Sequence, residues 1–189
     1  MLSAFLSSFG IALLSEIADK TQLVILGLAL KLKSPFRVFL GALLAHAAMD
    51  GLAVALGSWL GFSLPAGQVG LFVGVVFIGL GTWEVAKAWR ASRKKEVVTN
   101  GSPFLLSFFL ILASEFGDKS QIAAGLLAAE FRTPIAVFLG FVLGLAVTIA
   151  ATVFFGVMLA KRLPRKTVKI IIGALFIIFG VVSLVLVKV

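Results

Sequence analysis

The feature of this sequence that most restricts its fold is an internal repeat at a constant offset of 99 residues. Ser15-Glu16-Ile17-Ala18-Asp19-Lys20-Thr21-Gln22 returns as Ser114-Glu115-Phe116-Gly117-Asp118-Lys119-Ser120-Gln121, and 114 minus 15 is 99. The same offset, without a gap, aligns prolines and glycines further along: Pro35 with Pro134, Gly41 with Gly140, Pro65 with Pro164. Since charges, prolines and glycines share one register, the two halves should adopt the same fold.

Each half carries three long apolar stretches. The chain is 61% hydrophobic and 13% charged, and its mean hydropathy is +1.17. Apolar runs of about 18 residues or more indicate membrane spans. They cover about 2–31, 36–62, 67–90, 103–131, 135–161 and 166–188. We therefore predict an all-α integral membrane protein with six transmembrane helices and no room for a soluble catalytic domain.

The number of spans per half determines how the halves are related. Because three is odd, the second half must enter the membrane from the opposite side. The prediction is two inverted-topology three-helix repeats, residues 1–90 and 103–189, joined by a cytoplasmic linker, 91–102. Many secondary transporters are built this way, with the substrate near the membrane midplane where the halves meet.

The net charge of +9 is concentrated in the predicted connections. Lys and Arg gather on the cytoplasmic side of membrane proteins. With the N-terminus outside, thirteen basic residues lie inside and two outside, which leaves Lys20 and Lys119 within the membrane and accounts for all 17. We expect both termini to be non-cytoplasmic and the bilayer, not nucleic acid, to be the partner of these charges. The absence of cysteine excludes disulfide and thiolate chemistry.

The repeated motif places acids where hydrocarbon surrounds the chain. An ionisable residue there costs roughly 2.5–3.5 kcal/mol and points to function. On a continuous helix Glu16 and Asp19 share a face, as do Glu115 and Asp118. Inverted symmetry brings both pairs to one depth, which predicts a metal site of four carboxylates. Hydroxyl and amide oxygens of the same motifs are additional candidate ligands: Thr21, Gln22, Ser120 and Gln121.

An oxygen-only ligand set suits hard divalent cations such as Ca²⁺, Mg²⁺ and Mn²⁺. Lys20 and Lys119 are candidate counter-ions, and with the four acids they sum to a charge of minus two. Protons would compete with a metal for closely spaced carboxylates. Both motif-bearing spans exceed the roughly 20 residues needed to cross, so a local break or a strong tilt is expected at Ala18 and Gly117. The alternative is a buried ion pair that only fixes helix packing.

A second polar pair lies in the second span. His46 and Asp50 are four residues apart, and their counterparts in the second half are the apolar Leu145 and Ile149. The pair therefore breaks the symmetry of the repeat. Two interpretations stay open: a proton pathway or support of the metal site, or two residues that satisfy each other's hydrogen bonds.

The doubled Glu-x-Gly-Asp-Lys/Arg-Ser/Thr motif in six spans resembles uncharacterised protein family 0016, the Gdt-type cation/proton exchangers of Mn²⁺ and Ca²⁺. The second copy fits this pattern completely, and the first departs from it only at Ala18. The resemblance covers the whole chain. It implies that the family's metal-binding acids are Glu16, Asp19, Glu115 and Asp118. Short bacterial-type members look mainly like manganese exporters, so we expect a multi-pass protein of a bacterial plasma (inner) membrane.

The function predicted from these features is export of Mn²⁺ from the cytoplasm by exchange with protons, without enzyme activity and without a permanently bound cofactor. A Ca²⁺/H⁺ antiporter with the same site is the nearest alternative. Further alternatives are an exporter of small organic cations or amino acids, an intramembrane lipid phosphatase using His46 and the acids, and a structural membrane subunit. The oligomeric state stays open, a homodimer being one option.

Overall fold

The computed structural model describes residues 1–16, 20–87, 101–159 and 165–186, except for some side chains within the helices. These residues form helices and connections, with no strand among them. The helices are α1 (Leu2–Glu16), α2 (Lys20–Leu32), α3 (Pro35–Ser63), α4 (Ala66–Lys87), α5 (Pro103–Glu115), α6 (Lys119–Phe131), α7 (Pro134–Leu159) and α8 (Arg165–Leu186). The predicted linker lies outside the described residues except for Gly101 and Ser102.

Four helices match predicted spans one to one, and the fourth span, which carries the second motif, is divided. Helices α3, α4, α7 and α8 correspond to the second, third, fifth and sixth spans. The fourth span is two helices, α5 and α6, which confirms the local break expected at Gly117. Helix α1 includes the first two residues of the first motif and α2 begins at Lys20, while residues 17–19 lie outside the described part of the chain.

The connections after the two motif-bearing spans have the same conformation. Lys33 and Arg132, which are 99 residues apart, both adopt left-handed backbone angles, with φ of 48° and 50°. A left-handed residue commonly ends a helix because its N–H can bond back to an earlier carbonyl. The Arg132 N–H does so, to the Ala128 carbonyl at 3.1 Å. Pro35 and Pro134 then begin α3 and α7, at positions where no helical N–H is needed.

Two of the described helices have the length and composition of membrane-spanning segments. By length and composition, α3 and the Pro134–Phe155 part of α7 are each able to cross a membrane. Segments of α1, α4, α5 and α8 are shorter apolar helices. Large apolar side chains cover the outer surface of the described helices, among them Leu52, Trp59, Phe62, Phe155 and Val185. Soluble monomers rarely expose so much contiguous apolar surface, whereas a bilayer would cover it.

Helices α1 and α5, which lead into the two motifs, pack against the long helices of the opposite half. Helix α1 lies on α7, and α5 lies on α3. A Cβ added to Gly140 would lie 2.5 Å from the Phe5 carbonyl oxygen, and one added to Gly41 would collide with the Phe104 carbonyl oxygen. Residues 5 and 104, and 41 and 140, differ by 99. The two contacts are therefore made by equivalent residues with the halves exchanged.

Helices α4 and α8 form a second packing unit. A Cβ on Gly180 would lie 2.6 Å from the Gly74 carbonyl oxygen, so the two backbones are in close contact. Phe77 and Phe176 meet edge to face, with ring centroids 5.4 Å apart. Since 176 minus 77 is 99, Phe77 contacts its own counterpart in the repeat, Phe176.

Candidate metal site

The break between α5 and α6 is built by the second motif itself. Phe116, Gly117 and Asp118 lie outside the helices, and Gly117 has a φ of +72°, which residues with a Cβ rarely adopt. Two hydrogen bonds hold the turn: the Asp118 N–H donates to the Glu115 carbonyl and the Gly117 N–H to Gln121 Oε1, each at 2.9 Å. Irregular backbone at membrane depth is tolerated where it is buried in protein or lines a cavity.

This break corrects the expected arrangement of Glu115 and Asp118. The two residues do not share a helix face, because α5 ends at Glu115 and Asp118 precedes the first residue of α6. The side chain of Glu115 is buried, whereas Asp118 is partly exposed. In the first copy α1 ends at Glu16, while Ala18 and Asp19 lie outside the described residues.

The centre of the site is a buried cluster of three side chains. One ligand atom from each of Glu16, His46 and Glu115 lies within 4.8 Å of the others. Their exposed fractions are 0%, 1% and 1%. His46 Nδ1 is 3.9 Å from Glu115 Oε2, and the Thr21 hydroxyl donates to Glu115 Oε1. Acids from both copies of the motif therefore meet, together with a residue of α3.

The position of Glu115 at a helix end adds to the negative potential of this cluster. Glu115 is the last residue of α5, and the next three residues are not helical. The C-terminus of a helix carries the equivalent of about half a negative charge, from carbonyls without intrahelical partners. This helix end and the two acidic side chains lie near the imidazole of His46. A cation placed in the cluster would be stabilised by that potential.

A second group of polar side chains extends from the cluster. Asp50, one turn after His46 on α3, is buried, and its Oδ2 has no hydrogen-bond partner among the described residues. Asp50 and Asp118 are close enough to interact electrostatically. Ser120, the counterpart of Thr21, is buried, and its hydroxyl likewise has no partner within the described part of the chain.

The remaining predicted site residues have varied surroundings. Gln22 accepts a hydrogen bond from the Thr152 hydroxyl at 2.5 Å, and Gln121 binds the backbone of the break. Lys119 is buried at the start of α6. The side chain of Lys20 lies outside the described residues.

Two residues of the site had weaker signals in the sequence. The sequence leaves two interpretations of His46: a proton pathway or support of the metal site, or a hydrogen-bond partner of Asp50. Its signal is a polar position in an apolar span, whose counterpart, Leu145, is apolar. Thr152 was missed, because a single threonine within an apolar span gives no distinguishing pattern. Both lie on the long helices α3 and α7, outside the repeated motif.

Two carboxylates and an imidazole offer a divalent cation a compact set of ligands. Two atoms bound to one ion lie at most twice the bond length apart, about 4.8 Å for bonds of about 2.4 Å. The separations in the cluster fall within this limit. The fold and the site together define a helical membrane protein with a buried cluster of two acids and a histidine that could hold a cation.

Comparison with known proteins agrees with this class. Residues 4–92 and 103–188 match the family described as divalent cation/proton antiporter GDT1. The chain belongs to this family, which confirms the resemblance seen in the motif. The family is one of membrane transporters, so the protein is not an enzyme and the lipid phosphatase alternative is excluded.

Relatives match over nearly the whole chain. A protein of Vibrio cholerae named "Putative manganese exporter" is 28% identical over 171 residues, covering 90% of this chain and 84% of the relative. A GDT1-like protein of Synechocystis is 31% identical, covering 97% of each chain. GDT1-like protein 5 of Oryza sativa subsp. japonica is also 31% identical, covering 97% of this chain and 94% of the relative. No solved structure matches.

Proposed function

We propose that the protein exports Mn²⁺ from the cytoplasm by exchange with protons at the cluster of Glu16, His46 and Glu115. The observation that carries this proposal is the meeting of one buried glutamate from each copy of the motif, with Glu115 at the end of the half-helix α5. Asp19 and Asp118 complete the proposed set of four carboxylates. The name of the Vibrio cholerae relative favours Mn²⁺ as the cargo.

Exchange with protons follows from the charge of such a site. Two carboxylates within a few ångströms in a buried environment repel one another unless a cation or a proton compensates them. Metal binding and protonation are therefore alternatives at the same oxygens. A transporter that exposes this site to one side with metal and to the other with protons performs antiport.

Alternating exposure is supported by the arrangement of the halves. In a two-fold arrangement, residue i contacts residue j of the other half and residue j contacts i in return. Gly41 with Phe104 and Gly140 with Phe5 form such a reciprocal pair, and Phe77 with Phe176 is the self-equivalent contact expected near the axis. We infer two inverted three-helix repeats, 1–90 and 103–189, with the site between them.

Transport by purified protein in proteoliposomes tests the cargo and the coupling. We expect Mn²⁺ uptake that rises when a pH gradient drives protons the opposite way. Ca²⁺, the second candidate in a family of divalent cation antiporters, is measured in parallel. Transport of Ca²⁺ but not Mn²⁺ would replace the first proposal with the second, and transport of neither would refute both.

Charge-removing variants test the site. Glu16→Gln and Glu115→Gln should each reduce transport to background, because each removes a buried ligand. Glu130→Gln is the matched control, since Glu130 lies at the other end of α6, half-buried and outside the cluster. Normal transport by both cluster variants would refute the site assignment.

The orientation of the protein in the membrane can be measured by cysteine labelling, because the chain has no native cysteine. Single cysteines replace Ser34, between α2 and α3, or Ser63, at the end of α3. With both termini non-cytoplasmic, a membrane-impermeant maleimide applied to intact cells should label Ser63→Cys and not Ser34→Cys. The reverse labelling would invert the proposed topology.

A further inference from the structure

His46 is the one member of the buried cluster that the internal repeat does not supply. The glutamates are counterparts of each other, whereas the counterpart of His46 is Leu145, which is buried on α7. A site required only to hold a hard cation could be built from the repeated oxygens alone. The imidazole therefore adds a property that the two motifs lack.

The geometry is that of a ligand as much as of a hydrogen-bonding neighbour. At 3.9 Å, His46 Nδ1 and Glu115 Oε2 are too far apart for a hydrogen bond between them. The same separation suits two atoms that bind one cation from different directions. His46 is also followed one turn later by Asp50, whose buried Oδ2 has no partner among the described residues. A nitrogen and an oxygen donor four residues apart lie on the same face of α3.

The chemistry of the donor distinguishes the two candidate cargoes. Protein ligands of Ca²⁺ are oxygens, six to eight of them. The first-row divalent ions from Mn²⁺ to Zn²⁺ form complexes with mixed nitrogen and oxygen sites, in increasing order of affinity as far as Cu²⁺. Replacing one oxygen ligand by an imidazole nitrogen therefore disfavours Ca²⁺ relative to Mn²⁺.

We propose that His46 is a direct nitrogen ligand of the transported ion and determines the preference for Mn²⁺ over Ca²⁺. This inference rests on the proposed function and names the feature that sets its selectivity. It also gives an order among competitors. Co²⁺ should inhibit Mn²⁺ transport at lower concentration than Mg²⁺ does, because Co²⁺ gains more from the nitrogen donor.

Pulsed electron paramagnetic resonance of bound Mn²⁺ tests the ligand directly. His46 is the single histidine of the chain, so protein prepared without a histidine tag reports on this residue alone. Imidazole nitrogen coupling to Mn²⁺ should be present, change when histidine is labelled with ¹⁵N, and disappear in His46→Gln. Mn²⁺ bound with no imidazole coupling would overturn the inference.

Selectivity provides the second measurement. His46→Gln should weaken Mn²⁺ binding at least about tenfold, since even residues that only support metal ligands are worth that much, while Ca²⁺ binding changes less than about threefold. Leu145→Met is the matched control and should leave the ratio unchanged. Equal loss for both ions would show His46 to be structural and would overturn the inference. Failure of the proposed function looks different, because wild-type protein would then neither bind nor transport Mn²⁺.

Discussion

The contact between α1 and α7 gives a sharp test of the packing that positions Glu16. In Gly140→Ala the new Cβ would lie 2.5 Å from the Phe5 carbonyl oxygen, 2.9 Å from Ser8 Cβ and 3.1 Å from the Phe9 nitrogen. Ordinary contact begins near 3.4 Å, and 3.4 minus 2.5 is 0.9 Å. Two of the three atoms belong to the backbone, so α1 must move as a whole.

The expected cost follows from that displacement. Overpacking of this kind costs typically 1–3 kcal/mol, and alanine returns up to about 1 kcal/mol through its helix propensity. Gly79→Ala is the matched control, because Gly79 is exposed within α4 and its added Cβ would meet nothing within 4 Å. The propensity gain is common to both variants and cancels in their difference. Gly140→Ala should thus be about 1–3 kcal/mol less stable than Gly79→Ala.

Thermal unfolding in detergent measures this difference. For a chain of this size it corresponds to a Tm lower by about 2–12 °C. Because α1 ends at Glu16, Mn²⁺ binding should weaken as well. Gly41→Ala, at the equivalent contact of α5 with α3, should have a similar effect through Glu115. If Gly140→Ala and Gly79→Ala had the same Tm, the close packing of α1 on α7 would be refuted.

Three further predictions concern the break, the site and the connection between the halves. Gly117→Ala places a side chain at a φ of +72°. It should destabilise the protein by about 1–2 kcal/mol, which lowers both Tm and the transport rate. Gly10→Ala is the control, because its Cβ would have open space around it, and it should lower neither. Thr21→Val removes the hydroxyl that donates to Glu115 and should slow Mn²⁺ transport in proteoliposomes. Thr21→Ser keeps a hydroxyl and should transport Mn²⁺ at nearly the wild-type rate. Equal rates for the two variants would contradict the role of this hydrogen bond. Arg132→Ala loses the hydrogen bond of 2.8 Å to the Leu64 carbonyl. It should destabilise the protein by about 1.5–3 kcal/mol in thermal unfolding. An unchanged Tm would show that this hydrogen bond does not contribute to stability.

Much of the site could be predicted because its acids are conspicuous in an apolar chain. Glu16 and Glu115 stand out because placing an ionisable residue in hydrocarbon costs free energy. The 99-residue offset indicates that they occupy equivalent positions of the two repeats. Their exact relation to Asp19 and Asp118 could not be predicted in the same way. The helical spacing rule assumes a continuous helix, and the left-handed backbone at Gly117 violates that assumption.

The sequence by itself determined the class of protein, because long apolar runs indicate membrane helices and two copies of one motif indicate two related halves. The tertiary structure decided which side chains meet. His46 is 30 residues from Glu16 and 69 from Glu115, since 46 minus 16 is 30 and 115 minus 46 is 69. No sequence pattern indicates that His46 lies beside these two glutamates, because side chains on separate helices become neighbours only through packing. The close contacts of α1 on α7 and of α5 on α3 accompany this cluster and help to position its two glutamates.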